Sequence, residues 1–223
     1  MKNYAIVVAG GAGSRMHSDR PKQFLELAGR PILMHTLDAF AKCGLDINLI
    51  LVLPSDHLNT WKELTQKHNY QTSHQTTTGG ATRFDSVRNG LTVIEDDGLV
   101  AIHDGARPLI STKVIQRTFR QAEISGNGIA AVQVKDSIRQ IVEGKNKAVD
   151  RSQFYSVQTP QTFKIDLIKA AFAACQSNAF TDDASVAEAF GEKIELVEGS
   201  YDNLKITTPE DLVIATSILD RRK

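Results

Sequence analysis

Cysteine is almost absent: Cys43 and Cys175 are the only two in 223 residues. Thiols so far apart build neither a disulfide scaffold nor a metal cluster, and two reduced, partly buried thiols are expected. There is no surplus of charge. Lys plus Arg and Asp plus Glu number 26 each, so no global field draws in nucleic acid and any anion site must be a local cluster. Long apolar runs are missing as well. Nothing approaches the roughly 20 residues of a membrane span, and the apolar run after Lys2 stops at Ala9, too short for a signal-peptide core. The expectation is a cytoplasmic chain that binds neither membrane nor nucleic acid, with residues 1–223 forming a single domain.

Familiar catalytic signatures are also lacking. There is no H-E-x-x-H, no metal-spaced Cys/His group and no G-x-S-x-G. No set of protein metal ligands is therefore expected, and no nucleophile is evident. His103 beside Asp104 invites acid–base chemistry, but a lone loop histidine is more often structural or partly solvated. Walker A needs Gly-Lys-Ser/Thr after four spacers, and no such run follows Gly10, Gly11 or Gly13. In the dinucleotide fingerprint Gly11 and Gly13 fit, but Met16 stands where the third glycine belongs.

What is present begins with the apolar run 4–9, a buried first strand, which ends in Ala9-Gly10-Gly11-Ala12-Gly13-Ser14-Arg15-Met16 and then Pro21-Lys22-Gln23. Glycines there permit close backbone approach, several N–H groups can face one anion, and Arg15 and Lys22 add charge. This reads as a nucleotide triphosphate loop; an ordinary Gly-rich turn with two solvated cations also fits the spacing.

Strand-like and helical runs then alternate. Strands are expected at 48–53, 70–76, 99–102 and 129–134, and helices at 31–43, 56–68, 82–94 and 112–125. Asp56 or Ser55 is a candidate cap for the second helix. The alternation predicts an α/β fold, a Rossmann-like, mainly parallel sheet with helices on both faces, and ligands at the carboxyl ends of its strands. From Asp136 to Gln158 no helix intervenes, and the run reads as a β-hairpin arm. A lone hairpin is marginally stable in water, so it packs on a twin subunit or back on its own sheet. Helices at 165–176, 182–190 (capped by Thr181) and 209–219 and a strand at 193–197 complete the chain.

Four further clusters carry polar chemistry. Thr77-Thr78-Gly79-Gly80-Ala81-Thr82-Arg83, with Ser86 one turn on, offers amides to a base edge, or is a plain capped loop. His103-Asp104-Gly105-Ala106-Arg107-Pro108 can hold hydroxyls and a phosphate, or is a structural Asp–Arg pair. Thr181-Asp182-Asp183 reads as a helix cap with acids in the first turn. Lys205, in Asn203-Leu204-Lys205-Ile206-Thr207, either snorkels or faces an anion. Cations around glycine turns without a nucleophile suit a reaction in which an already anionic phosphate attacks, and the protein aligns and neutralises.

Taken in register, these runs resemble the 2-C-methyl-D-erythritol 4-phosphate cytidylyltransferase family. The resemblance also takes in Asp85-Ser86-Val87, Val149-Asp150-Arg151, Gln158-Thr159-Pro160-Gln161, Ala184-Ser185, Glu198-Gly199-Ser200 and Pro209-Glu210-Asp211-Leu212. It covers nearly the whole chain. It implies transfer of a cytidylyl group from CTP to a sugar-alcohol phosphate, with Mg²⁺ on the triphosphate, in a homodimer whose 136–158 arms interlock. Arg15, Lys22 and Lys205 would be catalytic. Ala9, Gly10, Gly11, Gly13, Gly80, Ala81, Arg83, Ser86 and Asp104 would bind CTP. Asp104, Arg107, Ser137, Arg151, Thr159, Thr181 and Lys205 would bind the acceptor, Ser137 and Arg151 reaching the neighbouring subunit's site. Gly10 and Gly105 replace alanines common in the family, and Ser137 a threonine. Ala-Gly-Gly also occurs in the related ribitol-5-phosphate cytidylyltransferases, whereas the Thr-Asp-Asp-Ala-Ser and Asn-Leu-Lys-Ile-Thr runs favour the methylerythritol family.

Overall fold

The computed structural model describes residues 1–11, 21–175 and 180–222. Alternating apolar residues in β1 (Lys2–Val8) feed two separate cores, because successive strand side chains face opposite ways. Ala5 and Val7 pack beneath α1 (Ile32–Ala41), α2 (Leu58–Lys67) and α4 (Thr112–Ser125). Ile6 and Val8 pack beneath α3 (Arg83–Thr92), α5 (Ile165–Ala174) and α6 (Asp183–Ala189). The sheet is therefore covered on both faces, as the near-continuous apolar strands require.

Its remaining strands are β4 (Ile47–Leu53), β5 (Gln75–Thr78), β6 (Gly98–Asp104), β7 (Asn127–Gln133), β10 (Tyr155–Lys164) and β11 (Leu196–Glu198), in the order β11-β7-β10-β6-β1-β4-β5. All neighbours are parallel except β10, which runs antiparallel between β6 and β7. A two-stranded ribbon of β2 (Glu26–Leu27) and β3 (Arg30–Pro31) precedes α1. A smaller core of Leu27, Ile32, Leu109 and Ile206 sits under α7 (Pro209–Arg221).

The mainly parallel sheet matches the sequence expectation, and several local details differ. The third strand begins at Gln75, not at residue 70, because Tyr70 turns inward onto Trp61, ring centroids 5.9 Å apart. Ser55–His57 form a 3-10 turn, and neither Ser55 nor Asp56 caps α2. Asp182, not Thr181, caps α6, accepting from the Ser185 N–H at 3.0 Å. His103 and Asp104 are the last residues of β6, not part of a loop. The hairpin is β8 (Ile138–Val142) with β9 (Lys145–Val149), turned at Glu143 and Gly144, both at positive φ as a tight hairpin demands. Tyr155–Val157 already pair with β7, so the sheet reclaims the end of the expected 136–158 arm.

Candidate active site

The parallel strands bring their carboxyl ends to one edge, where backbone bonds stitch the loops together. Ala9 N donates to Val52 O (3.0 Å), Gly79 N to Leu53 O (2.8 Å) and Gly105 N to Val8 O (2.8 Å). The two glycine turns thereby face each other. Ser86 Oγ accepts from Gly80 N (3.1 Å) and donates to Thr82 O (2.9 Å), bracing the second turn. A Cβ on Gly80 would lie 2.3 Å from Asp85 Cβ, so this turn admits no side chain there. Thr82 and Asp85 close a reciprocal capping box at the start of α3.

Between the turns lies a cavity of about 190 Å³. Ala9, Gly10, Gly11, Gly80, Ala81 and Ser86 line it, together with Lys22, Arg83, Asp104 and Lys205. A second cavity, of about 250 Å³, adjoins it. Arg107, Thr159 and Thr181 line this one, and Arg83, Asp104 and Lys205 are common to both. Gly13 and Arg15 lie outside the described residues. Ser137 precedes β8, and neither it nor Arg151 lines either of these two cavities in its own subunit; Arg151 donates to the Lys135 carbonyl at the root of the hairpin.

The shared wall is an ion network. Arg83 holds Asp183 with two parallel bonds, at 2.8 and 2.7 Å, and its Nε reaches Asp104 Oδ1 at 3.3 Å. Lys205 Nζ meets Asp104 Oδ2 at 2.8 Å and Arg107 Nε approaches the same oxygen at 3.5 Å. Burial acts to raise the Asp104 carboxyl, but Arg83, Lys205 and Arg107 together hold it well below the ordinary carboxylate range. Burial likewise opposes the Arg83 charge, and the two aspartates overcome it. The two cavities carry four basic side chains, Lys22, Arg83, Arg107 and Lys205, against two acidic ones, Asp104 and Asp182. The surplus of cations makes this edge electrostatically suited to an anion.

Residues 4–221 match the family model described as IspD, 2-C-methyl-D-erythritol 4-phosphate cytidylyltransferase. The chain belongs to this family. Curated relatives of that name include proteins from Porphyromonas gingivalis, 48% identical over 219 residues (98% of each chain), and Bacteroides thetaiotaomicron, 45% identical over 219 residues (98% of this chain, 100% of that one). Among solved structures, a 4-diphosphocytidyl-2C-methyl-D-erythritol synthase from Anaerococcus prevotii superposes with a TM-score of 0.84 at 31% identity, covering 98% of this chain and 96% of that one. The Thermus thermophilus 2-C-methyl-D-erythritol 4-phosphate cytidylyltransferase gives 0.81 at 31% identity, covering 99% and 100%.

Two residues of this cytidylyltransferase-family site were not singled out from sequence. Asp183 reads there as a helix-dipole acid, yet it is buried against Arg83, one hundred positions earlier. Gln23 lines the first cavity and donates through Nε2 to Ala9 O at 2.7 Å, tying the Lys22 turn to the end of β1. Its neighbour in the Pro-Lys-Gln run was the only available signal.

His103 is fully buried behind the wall. A carbonyl only accepts, so its Nε2 donates to Arg107 O (3.2 Å) and its Nδ1 accepts from Thr159 Oγ (3.1 Å), which itself accepts from Asp104 N (3.0 Å). Burial, opposed by the Arg107 carbonyl, pushes the imidazole down from 6.5 to about 4. The unfolded chain therefore binds this proton at higher pH than the folded one. The contribution is complete above pH 6.5 and fades as pH falls to about 4, by roughly 3 kcal/mol in all. Urea unfolding between pH 7 and 4 should show this loss. His35, also lowered by burial, adds to the slope, so the decisive comparison is with His103→Asn, whose slope should be flatter. An equal slope in both would show that His103 titrates normally.

Proposed function

We propose that this chain transfers a cytidylyl group from CTP to 2-C-methyl-D-erythritol 4-phosphate, giving 4-diphosphocytidyl-2-C-methyl-D-erythritol and pyrophosphate. The observation that carries the reading is the pair of adjoining anion-receptive cavities that share Arg83, Asp104 and Lys205. The first, floored by the two glycine turns, takes CTP. Ala9, Gly10, Gly11, Gly80, Ala81, Arg83, Ser86 and Asp104 form its walls, and Gly13 is assigned to CTP from the sequence. The second takes the acceptor through Asp104, Arg107, Thr159, Thr181 and Lys205.

A phosphate oxygen of the acceptor attacks the α-phosphorus of CTP. The new P–O bond forms as the bond to the β-phosphate bridging oxygen breaks, and pyrophosphate leaves with that electron pair. The nucleophile is already anionic, so the protein supplies alignment and charge rather than a base. Lys22 extends along the first turn, its Cε 3.6 Å from where a Gly11 Cβ would stand. It neutralises the triphosphate together with Arg15, while Lys205, between the cavities, meets both substrates.

Mg²⁺ belongs to this reading as a passenger on the triphosphate. Among the described residues no group of three acidic, His or Cys side chains could cage a metal, and both Asp104 oxygens face cations. The described helices include none long and apolar enough to cross a membrane, and the reading places the enzyme in the cytoplasm with its CTP.

The hairpin is the dimerisation arm of a homodimer in the same reading. Its Ile141 is 74% exposed and Val142 is uncovered too, as are Phe154 and Tyr155 just after the hairpin. A two-stranded hairpin is marginally stable alone, and a partner surface over these apolar side chains would steady it. A second copy provides it, and Ser137 and Arg151 then serve the partner's acceptor site. Arg151→Ala should raise the KM for the acceptor well above any change for CTP. Equal changes would displace the arm from the acceptor site.

Product analysis tests the whole reading. Offered CTP with methylerythritol phosphate or ribitol phosphate, the enzyme should yield the mass of the cytidine-diphospho methylerythritol and one equivalent of pyrophosphate. The ribitol product would transfer the activity to the other acceptor, and no pyrophosphate at all would leave a nucleotide sensor.

A further inference from the structure

Asn203 is completely buried and lines neither cavity. It nevertheless stands behind three of the groups that face the second one. Its Nδ2 donates to Thr159 O at 2.8 Å and to Gln158 Oε1 at 3.2 Å. Its main-chain oxygen accepts from Arg107 Nη1 at 2.8 Å. Two residues on, Lys205 Nζ meets Asp104. One further, Ile206 N donates to Ala106 O at 2.9 Å, holding the segment against the loop that follows β6.

Gln158 completes the attachment. Its Nε2 donates to Ser200 O at 2.9 Å, and its Oε1 accepts from Ser200 N at 3.3 Å as well as from Asn203. The segment that carries Lys205 is thereby fastened to the part of β10 that carries Thr159 by two side-chain amides, Gln158 at Ser200 and Asn203 at the Thr159 carbonyl. Both atoms facing Nδ2 are acceptors. Only a side chain with two donor protons at that reach satisfies both: aspartate has none to give, serine has one, alanine has none. The amide also keeps a buried Oδ1 with no hydrogen-bond partner. Leaving an acceptor unsatisfied is costly to a fold, and packing alone would be better served by an apolar residue.

We propose that Asn203 is a positioning residue for the acceptor: through one side-chain amide and one carbonyl it holds Thr159 and Arg107, which line the second cavity and not the first, in register as the wall against which the acceptor phosphate is placed. This rests on the reading of the second cavity as the acceptor site. CTP is held by the glycine turns across the sheet, which Asn203 does not touch.

The test is steady-state kinetics of Asn203→Ala and Asn203→Ser in the full-length enzyme, varying each substrate in turn, with CTP binding measured separately by calorimetry. Loss of both donors should raise the acceptor KM by about tenfold or more, while the KM and Kd for CTP stay within about twofold. Asn203→Ser, with one donor retained, should fall between wild type and Asn203→Ala. KM values that rise together, or an acceptor KM that does not move, would overturn the proposal. So would variants that fold and bind no CTP, or that do not fold, since either outcome makes Asn203 a determinant of the fold. A wrong acceptor assignment shows itself differently, in wild type, which would then form no product with methylerythritol phosphate.

Discussion

Lys22→Ala should lower kcat on the order of 10²–10³-fold, the usual cost of removing one well-placed group from a developing anionic charge. The fold should hardly notice. Lys22 opens a 3-10 turn that continues through Gln23 and Phe24, and those two neighbours anchor it. Gln23 bonds the Ala9 carbonyl, and Phe24 stacks on Trp61 at 6.3 Å with its edge against His57 at 5.7 Å. None of these contacts involves the Lys22 ammonium, so the turn keeps its place when the charge goes. The expected signature is a large fall in kcat with a thermal midpoint close to that of wild type. Lys22→Arg should recover only part of the rate, since a planar fork replaces a compact point charge. Near-normal turnover in the alanine variant would remove Lys22 from the chemistry.

That glycine turns and cations gather at this edge was legible because the signal is local. Glycines next to the end of an apolar strand, with a cation a few residues on, are visible in any short window, and so is the strand–helix rhythm that aims several such turns the same way. Pairings between distant residues were not legible from composition or periodicity. Nothing near Tyr155–Lys164 says that this strand enters antiparallel between β6 and β7, yet that insertion is what brings Thr159 beside Asp104. Asp183 looked like a helix-dipole acid because its partner, Arg83, belongs to another helix. His103 looked like a loop residue because β6 runs two positions past its apolar run, into a His-Asp pair whose burial only the surrounding elements reveal. The third strand began late for a similar reason: Tyr70 has strand propensity, but the Trp61 ring offers it a better place.

The Arg83–Asp183 pair is where the largest effect on stability is expected. Asp183 is 1% exposed, and the guanidinium meets both of its oxygens. Burial presses its carboxyl upward, and the guanidinium is what sustains the charge. Arg83→Ala strands that charge. The α6 N-terminus, where Asp183 is the first residue, offsets a little of the loss through the helix dipole. Removing one partner of a buried pair costs about 3–5 kcal/mol, a large share of the roughly 5–15 kcal/mol that holds a domain together. Urea unfolding should show a fall of that size. The reverse substitution, Asp183→Asn, should be milder, because Arg83 keeps Asp104 at 3.3 Å and stays 31% exposed to water. The double variant Arg83→Ala with Asp183→Asn should then recover much of what Arg83→Ala loses, since no charge is left buried without a partner; such recovery is the mark of direct coupling. If the losses of the two single changes simply add, the pair is not the electrostatic unit described. Activity offers an independent check. The double variant should regain stability but not turnover, because Arg83 also faces both cavities, and a stable, inactive protein would separate its service to the fold from its service to the substrates.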